Sequence, residues 1–316
     1  MTTPFVRPDV RAFLDMLAAA PRPIFNDELM AMIRQMPADA MAGMDLPVGE
    51  MATIRDVVMP GPGGEIALRL YDPRAAREPG PVVVFYHGGG FVVGNIDTHA
   101  GIAAEIARQL DLPVVSVDYR LAPEHKWPAA PDDAEAAARW IAANGAAFGR
   151  EFTSLVLCGD SAGGNLTLIV ANDLHAKPAA APLLAVIAIY PKADSSRDYE
   201  SHEAFGDGYG LETANMAYYG EAYRADGAHV RHSPILAHLA GLPPLLVVTA
   251  ALDPLRDEGR AYAAAAVLAG VRVIYREYQG TIHGFCSYRK MIASAQADTL
   301  AFLKIAKAMI AEALAG

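Results

Sequence analysis

The sequence contains little cysteine and no apolar run long enough for a membrane. Only two of its 316 residues are cysteines, Cys158 and Cys286, and they show no metal-ligand spacing. Nothing therefore requires an oxidising compartment or a metal site. The longest strongly apolar stretches, near 183–190 and 245–252, are too short to span a bilayer. We expect a cytoplasmic protein with no metal and no membrane span.

Positive charge is also scarce. The chain has 26 Lys and Arg against 36 Asp and Glu, a formal charge of −10, and no basic cluster. Nucleic-acid-binding proteins show such clusters, so nucleic acid is excluded as a partner. Residues 1–10 contain no basic lead followed by an apolar run, and we expect no secretory signal there.

The composition is that of a globular protein with a large core, with 53% hydrophobic residues. From about residue 50, short apolar or β-branched runs alternate with helical patterns. The later strand patterns are almost continuously hydrophobic, which is typical of strands buried on both faces of a parallel sheet. The predicted strands are 54–59, 65–71, 82–86, 113–118, 154–158, 183–190, 245–251 and 271–278. The predicted helices are 98–110, 131–147, 163–176, 255–269 and 292–314.

The first two strands differ, because the turn-rich segment 60–64 connects them as a hairpin. The pattern as a whole predicts an α/β protein with a mostly parallel, doubly wound sheet and an antiparallel start.

Two segments do not follow this alternation. Residues 1–50 are helical, interrupted by prolines and rich in methionine, and residues 192–230 are polar with glycines and tyrosines. Long insertions in a domain often serve as lids. We expect a catalytic domain over 51–316 and a helical cap built from the N-terminal segment 1–50 and an insertion of about 192–230. The methionines either fill helix cores or face variable ligands, and the pattern leaves both open.

The most informative motif is Gly159-Asp-Ser-Ala-Gly163, which lies between a buried strand pattern and a helical run. A serine on such a strand-to-helix turn has a strained backbone that exposes its hydroxyl as a nucleophile. The amides of the following helix favour developing negative charge. The alternative is a tight turn in which glycine supplies positive φ and Ser161 caps the helix.

A nucleophilic serine needs a base and an acid. In enzymes whose serine lies on such a strand-to-helix turn, both follow it along the chain. His283 follows the strand pattern 271–278 and a glycine-containing loop, which places it at the carboxyl edge of the sheet. Asp253 directly follows the run 245–252 and is the predicted acid. Its rival, Asp257, falls in the first helical turn, where the helix dipole alone explains an acidic residue. Asp160 is expected to make only local hydrogen bonds.

A loop of three glycines, His87-Gly-Gly-Gly90, follows the strand pattern 82–86. Glycines allow the backbone to approach a ligand and to present its N–H groups. Such a loop supplies oxyanion-hole amides, together with the amide after the nucleophile, here Ala162. A phosphate-binding loop is the alternative, but neither Lys-Ser/Thr nor a Gly-x-Gly-x-x-Gly pattern follows. His87 is expected to brace the loop.

Together these motifs resemble the bacterial hormone-sensitive-lipase-type (family IV) carboxylesterases of the α/β-hydrolase superfamily. The resemblance covers roughly residues 50–316 and rests on segments 87–91, 97–99, 118–124, 159–164, 253–257 and 283–285. Phe91 stands where members often carry tryptophan. The resemblance implies an α/β-hydrolase fold with a helical cap.

The resemblance also implies that the protein hydrolyses small-molecule esters with short- to medium-chain acyl groups and uses no cofactor. It assigns the nucleophile, acid and base to Ser161, Asp253 and His283, and the oxyanion donors to Gly88, Gly89 and Ala162. A homodimer is left open. Two alternatives remain. An amidase or deacetylase would use the same machinery. A receptor like those for plant gibberellins resembles the family but lacks the catalytic histidine, which is present here as His283.

Overall fold

A computed structural model of the chain describes residues 4–19, 24–37, 40 and 42–316. Within these described residues, eight strands form one sheet in the order β1-β2-β4-β3-β5-β6-β7-β8. The strands are β1 Thr53–Gly61, β2 Gly64–Asp72, β3 Gly80–Tyr86, β4 Val114–Val117, β5 Phe152–Asp160, β6 Leu183–Ile189, β7 Leu245–Leu252 and β8 Val273–Ile282.

The sheet has the predicted antiparallel start. β1 pairs with β2 as a hairpin, β2 runs antiparallel to β4, and all remaining neighbours are parallel. The helices are α1 Pro8–Ala18, α2 Asp27–Gln35, α3 Ala100–Leu110, α4 Ala129–Ala143, α5 Ala162–Ala176, α6 Glu200–Phe205, α7 Thr213–Tyr223, α8 Arg256–Leu268 and α9 Ala293–Ala315. The prediction of a mostly parallel α/β sheet is confirmed.

The two faces of the sheet are both buried, as the continuous hydrophobic runs predict. Alternate residues of a strand point to opposite faces. In β3, Val82 and Val84 belong to a core shared with α4, α5 and α8. Val83 and Phe85 belong to a second core shared with α1, α3 and α9. The carboxyl ends of the parallel strands are thereby brought to one edge, between two helical layers.

One predicted helix is interrupted. The sequence predicts a single helix over 131–147, but α4 ends at Ala143 and a short 3-10 helix, Gly145–Phe148, follows. The side chain of Asn144 donates to the carbonyl of Trp140 at 2.8 Å and caps the end of α4. A side-chain cap of this kind competes with continued helix formation.

The described parts of residues 1–50 lie in two places. Phe13 of α1 packs against Tyr288, with ring centroids 4.8 Å apart, in the core shared with α9. Phe25, just before α2, instead contacts Tyr219 of α7 with centroids 5.6 Å apart. The methionines are similarly divided: Met30 is buried, whereas Met16, Met32 and Met36 are exposed, and Met1 and Met41 lie outside the described residues.

In the described ranges, the structure contains no helix with both the length and the apolar character needed to cross a membrane.

The buried face of α9 should carry much of the stability of the second core. Leu303→Ala removes a fully buried side chain and should lower the free energy of unfolding by about 2–5 kcal/mol. Leu314→Ala, the same change in the same helix at a side chain that is 55% exposed, should alter it by less than about 0.5 kcal/mol. Urea unfolding followed by circular dichroism measures both. Equal losses in the two variants would contradict this packing.

Candidate active site

The turn at Ser161 joins the end of β5 directly to the start of α5. Ser161 has φ 54° and ψ −115°, a conformation that residues other than glycine rarely adopt. Its N–H donates to the carbonyl of Ile189 at 2.9 Å, which ties the turn to β6. The Ser161 side chain makes no capping hydrogen bond to α5. The strained turn is confirmed, and the alternative of a capping serine is wrong.

Glycine is required on both sides of this turn by close backbone packing. A Cβ atom on Gly159 would lie 2.4 Å from the carbonyl oxygen of Gly163. A Cβ atom on Gly163 would lie 1.9 Å from the carbonyl oxygen of Tyr86, at the end of β3. The motif therefore allows the start of α5 to press against β3, next to the glycine loop.

Three side chains that are distant in sequence meet at this edge of the sheet. The Oγ atom of Ser161 lies 2.8 Å from Nε2 of His283, and Nδ1 of His283 lies 2.8 Å from Oδ2 of Asp253. Asp253 is fully buried, and its Oδ1 accepts the N–H of Leu255 at 2.7 Å. A carboxylate on Nδ1 keeps the proton there, which leaves Nε2 free to accept the serine proton.

Asp257, the rival acid, is occupied elsewhere. It lies in the first turn of α8, as predicted, where Oδ1 accepts from Arg256 at 2.8 Å and from Arg260 at 3.0 Å. Its Oδ2 accepts the N–H of Ser201 at 3.1 Å. The geometry thus joins His283 to Asp253 and gives Asp257 a role in partly buried ion pairs with Arg256 and Arg260.

The glycine loop requires a correction. The N–H of Gly88 donates to Oδ1 of Asp160 at 2.9 Å in a buried position, so this amide is not available to an oxyanion. Gly89 and Gly90 are half-buried, and Gly90 lines a cavity together with Ser161 and Ala162. Within the described ranges, no acceptor takes a hydrogen bond from the amide of Gly89 or Gly90. The loop amides available to an oxyanion are therefore those of Gly89 and Gly90, one residue later than the predicted pair Gly88 and Gly89.

The same bond corrects the expectation that Asp160 makes only local hydrogen bonds. Its partner Gly88 lies 72 residues earlier in the chain. Burial raises the pKa of the Asp160 carboxyl, although His99, the Gly88 amide and His283 act in the opposite direction. Asp160 therefore connects the nucleophile turn to the glycine loop.

His87 braces the loop from the other side. Its Nδ1–H donates to the carbonyl of Gly88 at 2.8 Å, and its ring stacks on Tyr119 with centroids 4.3 Å apart. Burial, reinforced by the neighbouring His99, lowers the pKa of His87 to about 3. The ring is consequently neutral at neutral pH and serves as part of the framework.

A cavity of about 270 Å³ opens onto Ser161. Much of its wall comes from the polar insertion, whose Tyr223 stacks on Phe91 with centroids 4.0 Å apart. Among the described residues of 1–50, none lines it. Sequence analysis missed three polar residues of this wall, Lys192, Ser195 and His232. Composition placed Lys192 and Ser195 in the predicted cap segment 192–230 and His232 next to it, but no motif distinguished them from their neighbours.

The cysteines take no part in this chemistry. Both are buried. Burial raises the pKa of Cys286 to about 12 and that of Cys158 well above its ordinary value, so neither thiol is a nucleophile at neutral pH. Across the described part of the chain, no group of three or more His, Cys, Asp or Glu side chains could hold a metal ion.

Comparison with known proteins gives concordant results. Residues 83–287 match a family model described as alpha/beta hydrolase fold. The chain is 37% identical over 286 residues to the carboxylic ester hydrolase LipN of Mycobacterium tuberculosis, an alignment that covers 87% of this chain and 74% of LipN.

Solved structures are similar along nearly the whole chain. An ester hydrolase from the metagenome of Lake Arreo, complexed with a bipyridine phosphonate derivative, superimposes with a TM-score of 0.89 at 37% identity, covering 98% of this chain and all of the other. A hyperthermophilic esterase from the archaeon Pyrobaculum calidifontis gives a TM-score of 0.88 at 35% identity, covering 97% and 99% of the two chains.

Proposed function

Because the chain belongs to the alpha/beta hydrolase fold family, and within it to the hormone-sensitive-lipase-type carboxylesterases, we propose that it hydrolyses carboxylic esters through an acyl-serine formed at Ser161. The observation that carries this proposal is the pair of 2.8 Å contacts joining Ser161 to His283 and His283 to Asp253. Named relatives are ester hydrolases, which favours an ester over an amide as the substrate.

In the proposed first step, Nε2 of His283 takes the proton of Ser161 as Oγ bonds to the ester carbonyl carbon. The tetrahedral intermediate collapses when the carbon–alcohol oxygen bond breaks and His283 returns the proton to the leaving alcohol. A water molecule then attacks the acyl-serine in the same way, which releases the acid and restores Ser161. Asp253 stabilises the positive form of the imidazole during both steps.

The amides of Gly89, Gly90 and Ala162 are the proposed donors to the tetrahedral oxygen. The position of Gly90 and Ala162 in the wall of the cavity supports this set. Ala162 is the first residue of α5, and the first amides of a helix have no acceptor inside it. Each such donor contributes on the order of 3 kcal/mol to lowering the barrier.

The proposed substrates are esters with short to medium acyl chains. A cavity of about 270 Å³ with aromatic walls suits that size. We assign the cap to the insertion 192–230, with α6 and α7, and to α2, whose Asp27 accepts from Tyr218 of α7 at 2.9 Å. Ser161, Asp253 and His283 all belong to the same chain. A homodimer and a cytoplasmic location stay predictions.

Ser161→Ala should lower kcat for p-nitrophenyl butyrate by on the order of 10⁵–10⁶-fold, because the attacking oxygen is removed. The matched control is Ser154→Ala, which removes a buried hydroxyl from the opposite end of β5. The Ser154 hydroxyl has no hydrogen-bond partner among the described residues, so its loss should change kcat by less than about threefold. Circular dichroism checks that both variants fold. Appreciable turnover by folded Ser161→Ala would refute the assignment.

Asp253→Asn should lower kcat by on the order of 10⁴-fold, since an amide in place of the carboxylate favours the wrong tautomer of His283. Asp257→Asn removes the same charge four residues later, where it meets Arg256 and Arg260. It should retain kcat to within about threefold. Steady-state rates with p-nitrophenyl butyrate distinguish the two acids. A larger loss in Asp257→Asn than in Asp253→Asn would reverse the assignment.

A further inference from the structure

Lys192 lies beside the nucleophile turn. It follows β6 after a single Tyr-Pro pair, and its N–H points to the carbonyl of Ser161 at 3.4 Å. Its own carbonyl accepts from the side chain of Asn165 at 2.8 Å. Two contacts with the start of α5 therefore fix the backbone of Lys192, and Lys192 lines the same cavity as Ser161.

Lys192 is the one residue with a formal charge among the described residues of that wall. Among the described residues that line the cavity, no other is Lys, Arg, Asp or Glu. The nearby His232 is held by Ser195, with Nε2 3.0 Å from the serine Oγ. Burial, and then the charge of Lys192, lower the pKa of His232 to about 4. His232 is thus neutral at neutral pH, which leaves Lys192 as the charged residue among the described residues that line the cavity.

The partner of Lys192 is Glu258, but Glu258 is satisfied by other groups. This fully buried carboxylate accepts the N–H groups of Ala193 and Asp194 at 2.9 and 3.0 Å, and Nε2 of His202 at 2.9 Å. The Nζ atom of Lys192 is more distant, at 3.4 Å. That separation exceeds the ordinary range for N–H···O bonds.

The ammonium group therefore keeps donors for another acceptor. It carries three N–H bonds and at most one points to Glu258. The side chain is 29% exposed, although most of the neighbouring cavity wall is aromatic or aliphatic. Charged groups in such surroundings are normally paired. A ligand carboxylate entering the cavity would complete the set of partners.

We propose that Lys192 is a specificity residue that favours esters carrying a second, ionised acid group, of which half-esters of short dicarboxylic acids are the simplest. The ammonium group binds the free carboxylate while Ser161 attacks the ester carbonyl. This inference rests on the proposed esterase activity. The chain's charge of −10 repels anions at long range, so a preference for acidic esters has to arise from a contact inside the cavity.

The test compares matched acidic and neutral esters. In the first series, monoethyl glutarate carries the free acid on the acyl side and is compared with ethyl pentanoate. In the second series, 3-(butyryloxy)propanoic acid carries it on the alcohol side and is compared with propyl butyrate. Released alcohol or acid is measured by chromatography. The readout is the ratio of kcat/KM for the acidic ester to that for its neutral partner. Lys192→Met should lower this ratio about tenfold or more in at least one series, and that series identifies the side that Lys192 contacts.

Two further variants control for folding and for net charge. Lys192→Arg keeps the cation and should retain a higher ratio than Lys192→Met. Lys304→Met removes one positive charge from an exposed position on α9 and should leave both ratios within about twofold.

Ratios unchanged by Lys192→Met in both series, while the neutral esters are hydrolysed, would overturn the inference and leave the esterase proposal intact. A wild-type protein that hydrolyses none of the four esters would contradict the esterase proposal and this inference with it.

Discussion

The strained, positive-φ backbone at Ser161 is the constraint on which the site depends. That conformation costs on the order of 1–3 kcal/mol and persists because the surrounding structure fixes it. The Ser161 amide bonds to β6, and Gly163 packs against the end of β3. The preceding Asp160 holds the amide of Gly88. One turn therefore joins three parallel strands at their carboxyl edge and sets the distance between the hydroxyl and the glycine loop.

The same edge explains why side chains so far apart in sequence meet. Parallel strands buried on both faces deliver their following loops to one side of the sheet, where ligands of open α/β sheets bind. Asp253 follows β7 and His283 follows β8, and these strands are neighbours. His283 therefore bridges from the edge strand towards Ser161 at the end of β5. Neutral, buried His87 and His232 contribute shape and hydrogen bonds to the surroundings.

Much of the fold and the triad geometry could be predicted from sequence, because those signals are local. The hydrophobic runs predict the strands, and the positions of Ser161, Asp253 and His283 after strand patterns place all three at the carboxyl edge of the sheet. The amide of Gly88 could not be assigned, since its acceptor on Asp160 is 72 residues away. The different destinations of α1 and α2, and the approach of Lys192 to the cavity, likewise depend on tertiary packing that no periodicity encodes.

The central claim is that this turn and His283 make Ser161, and no other residue, the nucleophile. Covalent trapping with p-nitrophenyl ethyl hexylphosphonate tests it most directly. Intact-protein and peptide mass spectrometry locate the adduct and give its rate. We expect one adduct per chain, on Ser161, formed at least about 10³-fold more slowly in His283→Ala. An adduct on another residue, or an equal rate in His283→Ala, would contradict the claim.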